Sequence, residues 1–557
     1  MKRKATDHDG TDNVNRRLHN VLFNTHTVSG IVISVALYVI FLAGAFALFQ
    51  NNINNWEINE PAKEFSFDLD YERILAEVEK KGYQMYSRDF VVSLAENNGK
   101  HLRIFANPPA NTIAADSLAQ LPEADSAQYA EATARLNYVI NPETYQLTEP
   151  DEANGSQQRI GRLLTRLHYF QQIPVVGLFL SGLVSLFFLF AIVTGLIVHW
   201  KKIVSNFFTF RLTSSIKNLW TDAHTALGVV GLPFQLMYAV TGTFFGLGIV
   251  ILPVVLLVYG DANKATEILI PARKTYALEG KSSQQTSISP LVKNVLADIP
   301  EEEIETFQLF IKSYGDENAH LNTLIGVKTD QDFSAQDFTS YRLTDGKLLE
   351  KETYRESSFK TASINYFIKL HFGSFGGNLV RGVYFLLAIL TCFVIISGVM
   401  VWLTAREKKM YAHRATFNRN VGAIYLGGCL GLYPAIALLF IIAKCLPLAM
   451  ENRFDTINYV FFGFWLAYTA YAFRIKNYFK INQHALILAA ILGTLIPVVN
   501  GFQSGIWFWN AHARGYPDLF FVDVAWIILS SITVLSVSQA KPVNKKKVNK
   551  TKEPVMV

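Results

Sequence analysis

Half of the 557 residues are apolar, 13% are aromatic, only 17% are charged and the mean hydropathy is positive, which excludes an ordinary soluble protein. The net charge of +6 is modest, and the three cysteines, Cys392, Cys429 and Cys445, all lie in apolar runs, which excludes a disulfide framework or a CxxC site. The composition is that of an α-helical integral membrane protein.

Crossing roughly 30 Å of hydrocarbon takes about 20 apolar residues. Eight runs qualify, at about 27–49, 175–199, 226–251, 379–403, 421–447, 456–474, 484–500 and 520–537. In chain order, residues 1–26 form an N-terminal arm, polar and expected to be disordered over 1–19. Residues 27–199 are a first unit: span 1, an external segment at about 50–174, and span 2. Ala45-Phe46-Ala47 resembles a signal-cleavage site, but the apolar stretch exceeds a signal core and is kept as a span. In the external segment, Leu69 to Lys81 has helical periodicity. Arg88 to Leu94, Leu102 to Phe105 and Leu136 to Ile140 alternate as strands, and 106–131 reads as a long mobile loop.

A loop at 200–223 leads to a second unit at 224–404: span 3, an external segment at about 259–377, and span 4. The external order repeats, with a helix near Ser289 to Ala297 and strands near Thr306 to Ile311, Leu321 to Lys328 and Thr339 to Leu343. Asp345-Gly346 signals a hairpin. Two small α+β domains are therefore expected, one between spans 1 and 2 and one between spans 3 and 4. After a loop at 405–420, spans 5 to 8 occupy 421–538 without a counterpart in the repeat, and 539–557 is a basic tail. The tryptophans there (Trp465, Trp507, Trp509, Trp526) read as interfacial belts.

If the spans alternate, one side carries 23 Lys+Arg against 6 Asp+Glu and the other 28 against 39. The positive side is cytoplasmic by the usual bias, so both termini are cytoplasmic and the external segments lie across the membrane. Anionic membrane lipid explains the basic tail better than nucleic acid does.

The two units match in spacing. His26 and His224 are each followed after four residues by glycine, Gly30 and Gly228, and after 18 by Gly44 and Gly242. His168 and His371 each lie 27 residues before glycine, Gly195 and Gly398. Histidine at membrane depth is costly and marks a functional site by default. His26 and His224 fall at the cytoplasmic ends of spans 1 and 3, His168 and His371 at the external ends of spans 2 and 4. A pseudo-twofold axis along the membrane normal makes each set face itself, and facing histidines in a bundle suit axial ligation of haem. The small residues Gly30, Gly228, Gly195 and Gly398 allow close approach of backbones or of a flat macrocycle. A mononuclear metal site lacks a partner carboxylate. His199, where the second copy has Trp402, is the alternative inner ligand. Arg162, Arg166, Lys369 and Arg381 near the outer pair, and Arg17, Lys201 and Lys202 near the inner, are candidate propionate contacts. His101 and His320 read as surface residues.

The HxxxG helix starts, Thr241-Gly242 with Phe244-Phe245, the Leu-His pairs at 167–168 and 370–371 and the two external domains resemble the PepSY-associated transmembrane family over about residues 14 to 410. That family includes inner-membrane ferric-siderophore reductases with two b-type haems. The resemblance implies an oxidoreductase of the bacterial inner membrane with PepSY-like domains in the periplasm, two haems b on His26, His224, His168 and His371, and a ferric siderophore or other ferric chelate as substrate. No dinucleotide or flavin fingerprint is present, so a membrane quinol or a cytoplasmic reductase is the expected donor. Spans 5 to 8 depart from the family's four-helix minimum. The readings from other classes are a membrane-anchored PepSY regulator of a partner protein and a siderophore or metal-chelate transporter.

Overall fold

A computed structural model describes residues 8–61, 66–95, 101–110, 122–149, 158–200, 216–248, 257, 260–261, 267, 271–327, 336–353, 359–406 and 413–539. The loop at 200–223 lies mostly outside them, the loop at 405–420 lacks 407–412, and the basic tail lies outside them beyond Gln539.

The first unit opens with α1 (His8–Ala47), a 40-residue helix. The arm is therefore helical from His8 onward, since no proline interrupts the run. Then come α2 (Gln50–Ile58), α3 (Tyr71–Lys80), β1 (Phe90–Ala95), β2 (His101–Ala106), α4 (Glu123–Thr133), β3 (Leu136–Ile140), β4 (Leu147–Thr148), α5 (Ile160–His168) and α6 (Gly177–His199). Within the expected loop at 106–131, the chain is helical from Glu123 and 111–121 is outside the described residues.

The second unit runs α7 (Ile216–Val230), α8 (Leu232–Gly246), α9 (Ile288–Leu296), β5 (Ile304–Lys312), β6 (His320–Val327), β7 (Gln336–Arg342), β8 (Leu348–Glu352), α10 (Phe359–Phe372) and α11 (Gly377–Ala405). The expected span at 226–251 is not one rod: α7 and α8 meet at 70° across Gly231. Pro233 in the first turn of α8 has no N–H to give the preceding turn, which is why the break falls there. The hairpin at Asp345-Gly346 is present, with Gly346 at φ 67°.

The two external segments do not form two domains. Their strands join in one antiparallel sheet of order β4-β3-β2-β1-β5-β6-β7-β8, symmetric about the β1–β5 seam. There Phe90 pairs with Ile311 and Leu94 with Phe307. Each β1 or β5 edge would otherwise present unpaired N–H and C=O groups, and pairing the copies removes both edges. Helices α3 and α9 cover one face and bury Ile74, Leu75, Val78, Leu291 and Val292 against Val92, Ile104, Leu309 and Ile311. The halves also cap one another: Tyr71 N donates to Ser289 Oγ at 3.0 Å, and the Glu72 carboxylate accepts from the amides of Ile288 and Ser289 and from the Ser289 hydroxyl. Burial alone pushes the Glu72 carboxyl up, but the Ser289 and Ile288 donors outweigh it and hold it below its ordinary value of 4.5. A depressed carboxyl stabilises the fold above its unfolded value and loses that contribution as pH falls through the folded one. Acidification below about pH 4.5 should therefore loosen the seam. Glu72→Gln should cost about 1 kcal/mol at neutral pH and flatten this acid limb in a thermal unfolding series.

The last region comprises α12 (Ala415–Cys445), α13 (Arg453–Ile475), α14 (Tyr478–Ser504), the short α15 (Phe508–Ala511) and α16 (Pro517–Gln539). Among the described residues six helices are long and apolar enough to cross a membrane, or seven if α7–α8 is one broken span. The sixth expected span, 456–474, is the helix α13, whose Asn458, Tyr459, Tyr468 and Tyr471 keep it too polar to count. Trp526 is not a belt residue: it is 2% exposed, stacked on Phe46 at 5.7 Å and edge-on to Phe440 at 5.1 Å. Trp509, 65% exposed, fits the belt reading.

A polar clasp locks this region onto the first unit. Trp56 Nε1 donates to Asp523 Oδ1 at 2.8 Å, and Asn500 Nδ2 donates to Asp523 Oδ2 at 2.7 Å. Lys444 Nζ donates to the Trp56 carbonyl at 2.5 Å and to Asn59 Oδ1 at 2.6 Å. Arg453 pairs with Glu57 at 2.7 Å, and the other Glu57 oxygen accepts from the backbone N–H of Ile160, the first residue of α5, at 2.9 Å. Two anions and two cations are thus buried together, each with hydrogen-bonded partners.

Candidate functional site: two histidine pairs

The helices bring the four repeated histidines together in the pairs expected. His26 and His224 have ring centroids 6.1 Å apart, and His168 and His371 have theirs 6.0 Å apart. His26 lies 14 residues before Ile40, whose carbonyl meets His168, so the pairs sit about 21 Å apart along α1.

Every one of the four has its Nδ1 engaged. His26 Nδ1 bonds the Ala191 carbonyl at 2.8 Å, His168 Nδ1 the Ile40 carbonyl at 2.8 Å, and His224 Nδ1 the Val394 carbonyl at 2.9 Å with Ser397 Oγ at 3.2 Å. A carbonyl only accepts, so these nitrogens carry the proton. His371 Nδ1 meets Thr241 Oγ1 at 2.8 Å, and the Thr241 hydroxyl spends its own proton on the Met237 carbonyl at 2.8 Å. With that proton on Met237, His371 Nδ1 donates as well. All four rings hold one tautomer, with the lone pair on Nε2, as a metal-binding imidazole with an anchored second nitrogen does.

Glycines make room for the rings. A Cβ on Gly195 would lie 2.9 Å from His26 Cε1, one on Gly398 2.9 Å from His224 Cε1, and one on Gly44 2.6 Å from His168 Nδ1. The 27-residue spacing from the outer histidines to Gly195 and Gly398 thus serves the inner histidines. Gly242 breaks the symmetry, as its Cβ would meet Ser185 Oγ at 2.7 Å. Gly44→Ala should displace His168 from the Ile40 carbonyl and lower thermal stability by about 1–3 kcal/mol, the cost of a buried donor left unpaired. Gly242→Ala, facing a hydroxyl that can rotate, should cost less.

A haem held by two histidines fits these residues. Two metal–nitrogen bonds of about 2 Å and about 1.2 Å from each nitrogen to its ring centre place imidazole centroids about 6 Å apart. An added Cβ on Gly30 meets no atom within 4 Å, and one on Gly228 meets only Val394 Cγ1 at 3.9 Å, so there is open space one turn from each inner histidine. On α5, six residues before His168, Arg162 Nε is buried without a hydrogen-bond partner among the described residues.

The other candidates are placed as follows. Lys369 is paired with Glu305 of the sheet at 3.1 Å, and so links α10 to β5. Arg166 and Arg381 are engaged with neighbours. His199 ends α6 within electrostatic reach of His26 and His224 and is not one of the close ring pairs. Lys201 and Lys202 lie outside the described residues, as does the side chain of His101. His320 is not a surface residue: it is 5% exposed and stacked 3.6 Å from Tyr276. Residues the sequence reading did not single out are Tyr238, whose hydroxyl donates to the His371 carbonyl at 2.8 Å, and Ser397. Tyr238 stands 14 residues after His224, as Ile40 does after His26, so the repeat offset pointed to it.

A profile of the PepSY-associated transmembrane region matches residues 23–405, about two thirds of the chain. The chain belongs to this family. The match contains all four paired histidines and ends before α12, so α12–α16 are an addition to the PepSY-associated region. No curated protein matches the chain.

Proposed function

We propose that this protein carries electrons across the bacterial inner membrane through two b-type haems and reduces a ferric chelate, such as a ferric siderophore, on the periplasmic side. The observation that carries the reading is the two histidine pairs, at 6.1 and 6.0 Å, with all four Nδ1 atoms anchored as donors. When bound, each haem would supply a one-electron Fe(III)/Fe(II) couple. His26 and His224 would hold the inner haem and His168 and His371 the outer, with Arg162 available to a propionate. The anchored rings keep Nε2 aimed and unprotonated, and the apolar helices exclude water.

The balance is simple. A membrane quinol becomes quinone, giving up two protons and two electrons, and two ferric chelates each take one electron. Ferrous iron binds hard oxygen donors more weakly than ferric iron and is released. Both termini would be cytoplasmic and the sheet periplasmic.

The 70° break at Gly231 favours a second reading, transport, because broken helices build cation sites in transporters. Oriented membrane vesicles carrying the haem-loaded protein, a reduced quinol analogue and ferric citrate separate the two. Quinol-dependent Fe(II) formation on the periplasmic face, trapped by an impermeant ferrous chelator, is expected. Uptake of intact ferric chelate with no Fe(II) formed would overturn the reductase reading.

A further inference from the structure

The two histidine pairs differ in one acceptor. Both inner histidines donate Nδ1–H to backbone carbonyls, Ala191 at 2.8 Å and Val394 at 2.9 Å, with the Ser397 hydroxyl a longer second contact of His224 at 3.2 Å. In the outer pair His168 donates to the Ile40 carbonyl, but His371 donates to the Thr241 hydroxyl. The repeat explains the change: Thr241 lies 17 residues after His224, and the residue 17 after His26 is Ala43, which has no hydroxyl to offer. A hydroxyl is a weaker acceptor than a helix carbonyl. Its donation to Met237 polarises the Thr241 oxygen without making it an amide.

The strength of the acceptor on the non-ligating nitrogen sets how basic the ligating nitrogen is. A more basic imidazole stabilises Fe(III) and lowers the potential. We infer that Thr241 is a positioning residue that raises the potential of the outer site above that of the inner one, so that transfer from cytoplasmic to periplasmic side runs downhill. The inference rests on the di-haem reading above. The transfer it biases is one electron leaving the inner site and one arriving at the outer, supplied by the quinol and accepted by the ferric chelate, with no proton exchanged at Nδ1.

The test is an optical redox titration of the purified full-length protein, read from haem absorbance, which needs no turnover. His168→Ala and His26→Ala each leave one site and assign the two midpoints. The outer midpoint is expected above the inner. Thr241→Val should raise the outer midpoint further, by about a threefold or larger change in the Fe(III)/Fe(II) ratio at fixed ambient potential, and leave the inner one in place. Thr241→Ser should restore the wild-type value. Thr243→Val, whose hydroxyl bonds the Ala239 carbonyl at 2.6 Å, should move neither. If valine costs the outer haem, Thr241→Asn supplies an amide acceptor and should lower the outer midpoint. Two retained haems with an outer midpoint below the inner, or unmoved by Thr241→Val and Thr241→Asn, would overturn the inference and leave the di-haem reading standing. A protein that holds no haem would overturn that reading first.

Discussion

Alanine at His371 or His168 is expected to halve the haem bound per chain, and alanine at His224 or His26 to halve it likewise, because under the proposed function each ring of the two pairs would supply one of the two nitrogens that hold a haem. Ferric-chelate reduction by quinol should fall on the order of a hundredfold or more in all four, exceeding the 10–100-fold typical of outer-shell partners, since the proposed route passes through both sites. His199→Ala should retain both haems and most of the activity, as His199 is not one of the paired rings. Pyridine haemochrome quantitation decides this directly. Two haems retained in His371→Ala would remove His371 from the ligand set. Loss of one haem in His199→Ala would replace an inner ligand.

Glu57→Ala is expected to destabilise the protein by about 3–5 kcal/mol and to cost outer haem preferentially. Its carboxylate joins the buried Arg453 guanidinium of α13 to the first amide of α5, the helix that ends in His168. Removing it strands a cation that is 9% exposed and frees the start of the histidine-bearing helix. Arg453→Met in the same background should recover part of the loss, because an apolar residue needs no partner. The added helices α12–α16 thereby gain a role, to hold the outer histidine helix in place. Thermal unfolding with haem release followed in parallel reads both effects. An unfolding temperature unchanged in Glu57→Ala would show that the clasp carries no stability.

What the sequence made legible was local or periodic. The spacing of His26, His168, His224 and His371 to their glycines is a one-dimensional signal, and it survived folding as two ring pairs. The strands at Leu136–Ile140 and His320–Val327 follow from β-branched and alternating residues. The union of the two external segments was not legible, because the pairing of Phe90 with Ile311 spans more than 200 residues and leaves no local mark. Lys369 read as a propionate partner because its sequence neighbour His371 is close, whereas its carboxylate, Glu305, comes from the sheet. Trp526 and Asp523 share α16 with exposed apolar neighbours such as Ile528 and Ile532, and only the docking of α2 shows that these two face inward. Thr241 was visible as part of a Thr-Gly motif, but its bond to His371 depends on the position of α10 against α8.

The most direct test of the central claim is the visible spectrum of the detergent-purified protein from haem-replete cells, oxidised and then dithionite-reduced, with haem counted per chain. The account predicts sharp reduced bands of six-coordinate b-type haem at about two per chain. A colourless protein, with all four histidines intact, would contradict it.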